Sequence, residues 1–286
     1  MPSQTATYQI EKGVARVQGS RKYQEDEYAI EDAELNSENP LALYMVFDGH
    51  GSGAYSSHAA KTFASVLKST EAWKAGKIDK ALREAFLEED RRMEEQVAQG
   101  KGVERGGTTA TVAVLVGKQL YVANVGDSRS VVAQRQGVNA NGTAMYNVVR
   151  LSKDHKVTDP TEAKRLDEAD ATVRRDRVIS TGHAINMSRA LGDFDFKEPR
   201  NNAPGDWISP EPHISAITID ASHEFLILAS DGLWGVLDEY ALIPAVSELR
   251  SQNKSAQEIA QVFAEKCGAV PGADNTTVLA LFFKWQ

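Results

Sequence analysis

Leu41-Ala-Leu-Tyr-Met-Val-Phe47, running straight into Asp48-Gly49-His50-Gly51, is the stretch on which the reading of this chain turns. Seven apolar residues bounded by a glycine-rich break predict a buried strand rather than a helix. That strand ends on a carboxylate, a residue without a side chain, and an imidazole. Glycine at position 49 lets the backbone carbonyl approach a ligand closely, with the imidazole beside it. The same grammar returns later, where Phe225-Leu-Ile-Leu-Ala-Ser230 delivers Asp231-Gly232.

Outward from this stretch, residues 7–17 carry β-branched, alternating character around Gly13 and predict a first hairpin. Residues 19–27 are strongly charged and read as a solvated loop. Helical spacing of apolar residues predicts helices over 55–67 and 77–99, the second with a densely charged outer face that suits a cover over a sheet. Strands are expected at 111–116 and at 119–124, the latter running into Gly126-Asp127. A loop tip follows at 139–142, then a short helix over 161–169 and a charged hairpin over 173–178. Beyond the strand 225–230 come helices near 237–249 and 255–267, and a final strand over 276–283 preceded by Asp274-Asn275. Strands dominate, with helices inserted in blocks. That order favours antiparallel sheets covered by helices over a doubly wound parallel sheet.

The 286 residues are 42% hydrophobic and 25% charged, enough for a large core. No linker-like stretch divides them, so one domain over 1–286 is expected. A net charge of −8 argues against a nucleic-acid-binding surface. The single cysteine, Cys267, excludes an internal disulfide and a cysteine-built metal site, and its helical setting makes it a core residue. No apolar stretch has the length of a membrane span, and the first residues lack a basic start followed by an apolar region. The expectation is a soluble monomer of the cytoplasm, the nucleus or both, with neither membrane nor nucleic acid as partner.

Four aspartates, Asp48, Asp127, Asp231 and Asp274, fall at or beside the ends of predicted strands. Any one of them taken alone is better explained as a turn former or helix cap. Gathered together, carboxylates repel and shift upward in pKa unless a cation neutralises them. Oxygen ligands without thiols or paired histidines suit Mg²⁺ or Mn²⁺ and not zinc.

Eight segments, in order, resemble the metal-dependent Ser/Thr phosphatases of the protein phosphatase 2C family: Arg21-Lys-Tyr-Gln-Glu25-Asp26, Val46-Phe-Asp-Gly-His-Gly51, Gly106-Gly-Thr-Thr-Ala110, Ala123-Asn-Val-Gly-Asp-Ser-Arg129, Asp154-His-Lys156, Ser188-Arg-Ala-Leu-Gly-Asp193, Ala229-Ser-Asp-Gly-Leu-Trp234 and Asp274-Asn275. The resemblance implies an α+β fold, a four-layer α-β-β-α sandwich with two antiparallel sheets. It implies hydrolysis of phosphoserine and phosphothreonine on protein substrates by a water bridging two Mg²⁺ or Mn²⁺ ions. Asp48 would bridge them, with the Gly49 carbonyl, Glu25, Asp231 and Asp274 completing the pair and Asp26 in support. Arg21 would bind the phosphate and His50 would serve as general acid. Asp127 matches the ligand of a third ion. Gly235 stands where the family usually has a further aspartate, so the third ion loses a ligand.

Other residues take plainer readings. Leu233 and Trp234 are expected to pack beneath the site. Asp193 and Arg189 are expected to form a structural hydrogen bond or ion pair under the flap, with no part in catalysis. Arg174, Arg175 and Arg177 are read as a solvated hairpin, with phosphopeptide steering as the alternative. Residues 197–212 hold four of the nine prolines and are taken as a substrate-selecting flap. Two other functions stay open: a catalytically silent phosphatase-like binding or regulatory domain, motivated by Gly235, and a hydrolase of small phosphate esters.

Overall fold

The apolar run forms strand β3 (Leu41–His50), and its side chains divide by strict alternation. Leu43, Met45 and Phe47 face a layer of helices, while Ala42, Tyr44 and Val46 face a second sheet. A strand buried on both faces needs apolar residues at every position, which is why the run is continuous. The computed structural model describes residues 8–33, 41–102, 105–180, 182–200 and 205–286.

The strands around β3 are β1 (Tyr8–Val17), β2 (Asp26–Ala33), β4 (Gly107–Thr108), β5 (Ala110–Val116), β6 (Gln119–Val125), β7 (Arg129–Val138) and β8 (Ala144–Arg150). They continue with β9 (Val173–Arg174), β10 (Arg177–Ser180), β11 (His183–Ile185), β12 (Leu191–Gly192), β13 (His213–Thr218), β14 (His223–Ala229) and β15 (Thr276–Trp285). One large sheet runs β12-β4-β3-β5-β6-β13, with β2 also paired to β3; a second runs β1-β15-β14-β7-β8, a small third runs β11-β10-β9, and all three pair antiparallel throughout.

Helices α1 (Ala54–Ser69), α2 (Glu71–Lys74) and α3 (Ile78–Ala98) cover the first sheet through Phe63, Leu67, Leu82 and Phe86. After α4 (Pro160–Glu168) and the single turn α5 (Asp231–Trp234), helices α6 (Glu239–Ser251) and α7 (Ala256–Gly268) cover the second through Leu242, Val246, Ile259 and Phe263. Between the sheets, Tyr44, Val46 and Leu115 meet Leu226, Leu228, Leu279 and Leu281. The layers are therefore α-β-β-α. Cys267 is buried among the residues of α7, as a core residue should be.

Two local expectations are corrected. Residues 8–17 form one edge strand, not a hairpin: β1 pairs with β15 from Tyr8↔Trp285 to Val17↔Thr276 without a turn. Gly13 is there because the first residues of α7, Ala256 and Gln257, press against its Cα. The charged stretch ending at Glu27 is not all loop. β2 begins at Asp26, opposite Asp48, and supplies one wall of the site.

Candidate active site

The two strands that deliver Asp48 and Asp231 run into glycines whose backbone meets another chain segment too closely for a side chain. A Cβ on Gly49 would come within 2.5 Å of the Glu25 carbonyl and 2.7 Å of Ser56 Oγ. One on Gly232 would collide with the Asn275 backbone. Both Asp-Gly pairs thus pack an aspartate against a neighbouring strand end. Asp48 is fixed through its backbone: its carbonyl accepts from Thr109 N at 2.8 Å, and its N–H donates to Thr109 Oγ1 at 3.1 Å.

Around Asp48 stand Asp26, Asp127, Asp231 and Asp274, near enough for each charge to act on it. Burial first, then those four carboxylates, hold its carboxyl well above the usual carboxylate range. Asp231 is pushed up to about 7 by burial and then by Asp127 and Asp274, with Lys156 pulling the other way. Asp26 is fully buried and raised to about 6 by that burial, against hydrogen bonds from Ser230 Oγ (2.7 Å) and Thr277 Oγ1 (2.8 Å).

Asn275 clamps the loop that precedes β2. Its Oδ1 accepts from Glu25 N at 2.8 Å, while Nδ2 donates to the carbonyls of Gln18 (2.8 Å) and Tyr23 (3.0 Å). This brings Glu25 and Arg21 to the aspartates. The Arg21 guanidinium lies exposed and forms an ion pair with Asp274.

The donor set fits a hard divalent cation. It consists of carboxylates and carbonyls, and their mutual repulsion is what a cation would relieve. Asp26 Oδ1 and Asp127 Oδ1 are buried with no hydrogen-bond partner. Among the described residues, no three carboxylate, imidazole or thiol side chains already stand closed around one point. The groups are gathered by the scaffold, and closing on an ion requires side-chain rotation.

Two pairings lay beyond reach of the sequence. His50 Nε2 lies 2.7 Å from Asp193 Oδ2, and His50 Nδ1 is buried without a partner. Burial lowers the imidazole pKa, but the Asp193 charge and hydrogen bond outweigh it, and the net shift is upward. Asp193 itself is 5% exposed and adopts a left-handed conformation (φ 53°), with its carboxylate packed against the Cα of Gly107. Lys156 makes an ion pair with the buried Asp127. The expected link between Asp193 and Arg189 is corrected: Arg189 instead binds Glu162, with Nη2–Oε1 at 2.6 Å. The sequence signals were the motif segments containing Asp193, Lys156 and Asn275; their partners lie 143, 29 and 250 residues away.

Leu233 and Trp234 are buried beneath the site, with Trp234 Nε1 donating to the Ala229 carbonyl at 2.9 Å. Gly235 offers no side-chain oxygen. A cleft of about 380 Å³ opens beside His50 and Asp193, and its far wall is His183, Ala184 and Ile185. The described part of 197–212 supplies none of that lining: Lys197 is buried against Asp90 at 2.7 Å, and Ile208 is fully buried.

The protein phosphatase 2C family model matches residues 10–276. The chain is 32% identical to "Probable protein phosphatase 2C 5" of Paramecium tetraurelia, over 94% of this chain and 90% of that protein. It is 30% identical to "Protein spalten" of Dictyostelium discoideum over 97% of its own length, and spans 28% of that much longer protein. Among solved structures, serine-threonine phosphatase 2C from Toxoplasma gondii superposes with a TM-score of 0.82 over 99% of this chain and 96% of the other, at 22% identity. At that identity the likeness shows the fold, including the paired antiparallel sheets. Sequence match and architecture agree: the chain belongs to the protein phosphatase 2C family of protein serine/threonine phosphatases.

Proposed function

We propose that this chain is an active, Mg²⁺- or Mn²⁺-dependent phosphatase acting on phosphoserine and phosphothreonine in proteins. The observation that carries the reading is the set of carboxylates gathered around Asp48, in which Asp48 and Asp231 are raised in pKa first by burial and then by their acidic neighbours, with no internal cation equal to the group's charge. Asp48, Glu25, Asp231, Asp274 and the Gly49 carbonyl would hold two ions. When bound, such ions activate water for in-line attack and offset charge developing on the phosphoryl oxygens.

The remaining work falls to this chain's own residues. Asp26, opposite Asp48 in the strand register and itself held by Ser230 and Thr277, backs the centre with a further carboxylate. Arg21, at the exposed rim, presents a planar fork that matches phosphoryl oxygens. His50 protonates the departing serine or threonine oxygen, held in place by Asp193. Asp127 is the remaining ligand for a third ion; with glycine at 235 in place of the family's usual aspartate and Lys156 already on the Asp127 carboxylate, that ion would be held weakly.

Phosphate release from a phosphothreonine peptide, compared with release from a nucleotide and repeated in excess chelator, tests this reading. Metal-dependent release from the peptide alone is expected. Full turnover after verified metal removal would overturn the mechanism, and no turnover at any metal concentration would leave a silent binding domain.

A further inference from the structure

The chain has sixteen arginines. Thirteen of them stand within 4.0 Å of a carboxylate among the described residues. The three that do not, Arg174, Arg175 and Arg177, sit together on the β9–β10 hairpin, and all three are exposed. Arg174 and Arg177 are directly opposed across the two strands, so their side chains leave the same face of the hairpin. Like charges in that position repel. A structural role would have supplied a carboxylate, as it does for every other arginine in this acidic protein. Asp176, in the turn, pairs with none of the three among the described residues, and the turn holds Arg175 and Asp176 at φ 47° and 61°, where glycine or asparagine would be unstrained.

The hairpin is not remote from the chemistry. β10 pairs with β11, whose His183, Ala184 and Ile185 form the wall of the cleft that ends at His50 and Asp193. Arg177 Nη1 donates to the Ala184 carbonyl at 3.3 Å, which turns its guanidinium toward that wall. The hairpin is anchored from below: Val178 and Ile185 pack with Phe196 and Ile208, and Ser180 Oγ donates to the Asp195 carbonyl at 2.7 Å. A polypeptide whose phosphoresidue reaches the carboxylate centre would extend its neighbouring residues through this cleft and over the hairpin.

We infer that Arg174, Arg175 and Arg177 form a docking surface for acidic residues flanking the phosphoserine or phosphothreonine of the substrate. The inference rests on the phosphatase reading above and adds the class of substrate. With a net charge of −8, the rest of the surface repels an acidic polypeptide, so this hairpin supplies the local attraction and sets the approach. An anionic membrane is the poorer partner, since the hairpin adjoins, through β11, the concave cleft that leads to His50.

The test uses phosphothreonine peptides with acidic, neutral or basic flanks, turned over by the metal-loaded protein at low and high salt. For the wild type, kcat/KM on the acidic peptide should exceed that on the basic peptide by about tenfold at low salt, chiefly through KM, and the gap should close as salt screens it. The combined variant Arg174→Ala, Arg175→Ala, Arg177→Ala should lose the preference, with turnover of a small aryl phosphate unchanged. The corresponding lysine variant should keep most of it. Anisotropy of the acidic peptide with unphosphorylated threonine reads docking without turnover. Equal binding by wild type and alanine variant overturns the docking surface, whereas failure to hydrolyse any substrate, with that binding difference intact, overturns only the phosphatase reading. Preserved peptide preference, with loss of binding to phosphatidylserine vesicles, would make the hairpin a membrane contact and overturn the inference.

Discussion

Asp193 could not have been matched to His50 from sequence spacing, yet it decides how the imidazole is presented. Asparagine tolerates the left-handed backbone at 193 and keeps the side chain's size, so Asp193→Asn removes the charge and little else. Without that carboxylate, burial is opposed only by the weaker pulls of Asp127 and Glu25, and the imidazole is harder to protonate. On phosphothreonine peptides, whose alkoxide leaving group needs a proton, kcat should fall by roughly ten- to a hundredfold, while aryl phosphates should lose much less. Equal losses on both would remove His50 from the acid role. Gly235 offers the converse experiment. Its φ of −74° and ψ of −18° suit any residue, and a Cβ there would meet only the Asp231 carbonyl, at 3.1 Å. Gly235→Asp should therefore fold, and it restores the carboxylate usual in the family at this position. Higher turnover at low metal concentration is expected, and superimposable metal titrations for both proteins would show the position to be irrelevant.

The elements that were legible in the sequence are those whose identity depends on their own periodicity. The run at 41–47, the helices α1, α3, α6 and α7 and the strands β5, β14 and β15 each carry an apolar pattern that burial on one or both faces requires. β1 was misread because its glycine answers to a distant partner. The N-terminus of α7 sits on it: Gln257 exchanges hydrogen bonds with Val14 at 3.1 and 2.8 Å, and Glu11 Oε1 accepts from Ala256 N at 2.8 Å. Those bonds also satisfy the outer edge of β1. Gly13→Ala would place a methyl inside the α7 backbone, forcing the helix away from the strand and breaking them. A destabilisation of about 3 kcal/mol is expected, at the upper end of overpacking costs because the obstacle is backbone. Urea denaturation would read it, and an unchanged midpoint would mean that α7 does not rest on β1 as described.

At the scale of the whole molecule, the sequence revealed the layers and the strand-end aspartates, but not the balance of charge that the fold creates among them. Asp48, Asp127, Asp231 and Asp274 could be named as candidates because each follows or precedes a strand; what Asp26, Asn275 and Lys156 do depends on contacts between segments far apart in the chain. That balance has a measurable consequence. Asp26 (about 6), Asp231 (about 7), Asp48 and Glu89 (about 7) all titrate above their unfolded values, each chiefly through burial. Between roughly pH 4 and 7 these four groups therefore hold more protons in the folded protein than in the unfolded chain, and their contribution to stability falls as pH rises through that window. His155, held near 3 by burial, works in the opposite direction below its unfolded value, so the wild-type curve alone is not diagnostic. Comparison with Asp231→Asn isolates the carboxylate. In chelator at pH 8 the variant should melt roughly 5–10 °C above the wild type, since one repelling buried charge is gone, and the two should converge towards pH 5. Added Mg²⁺ should reverse the order at pH 8, because the wild type retains the full set of ligands and gains by mass action what the variant cannot. Parallel melting curves across pH, with no reversal on adding Mg²⁺, would mean that Asp231 does not belong to a cation-binding group.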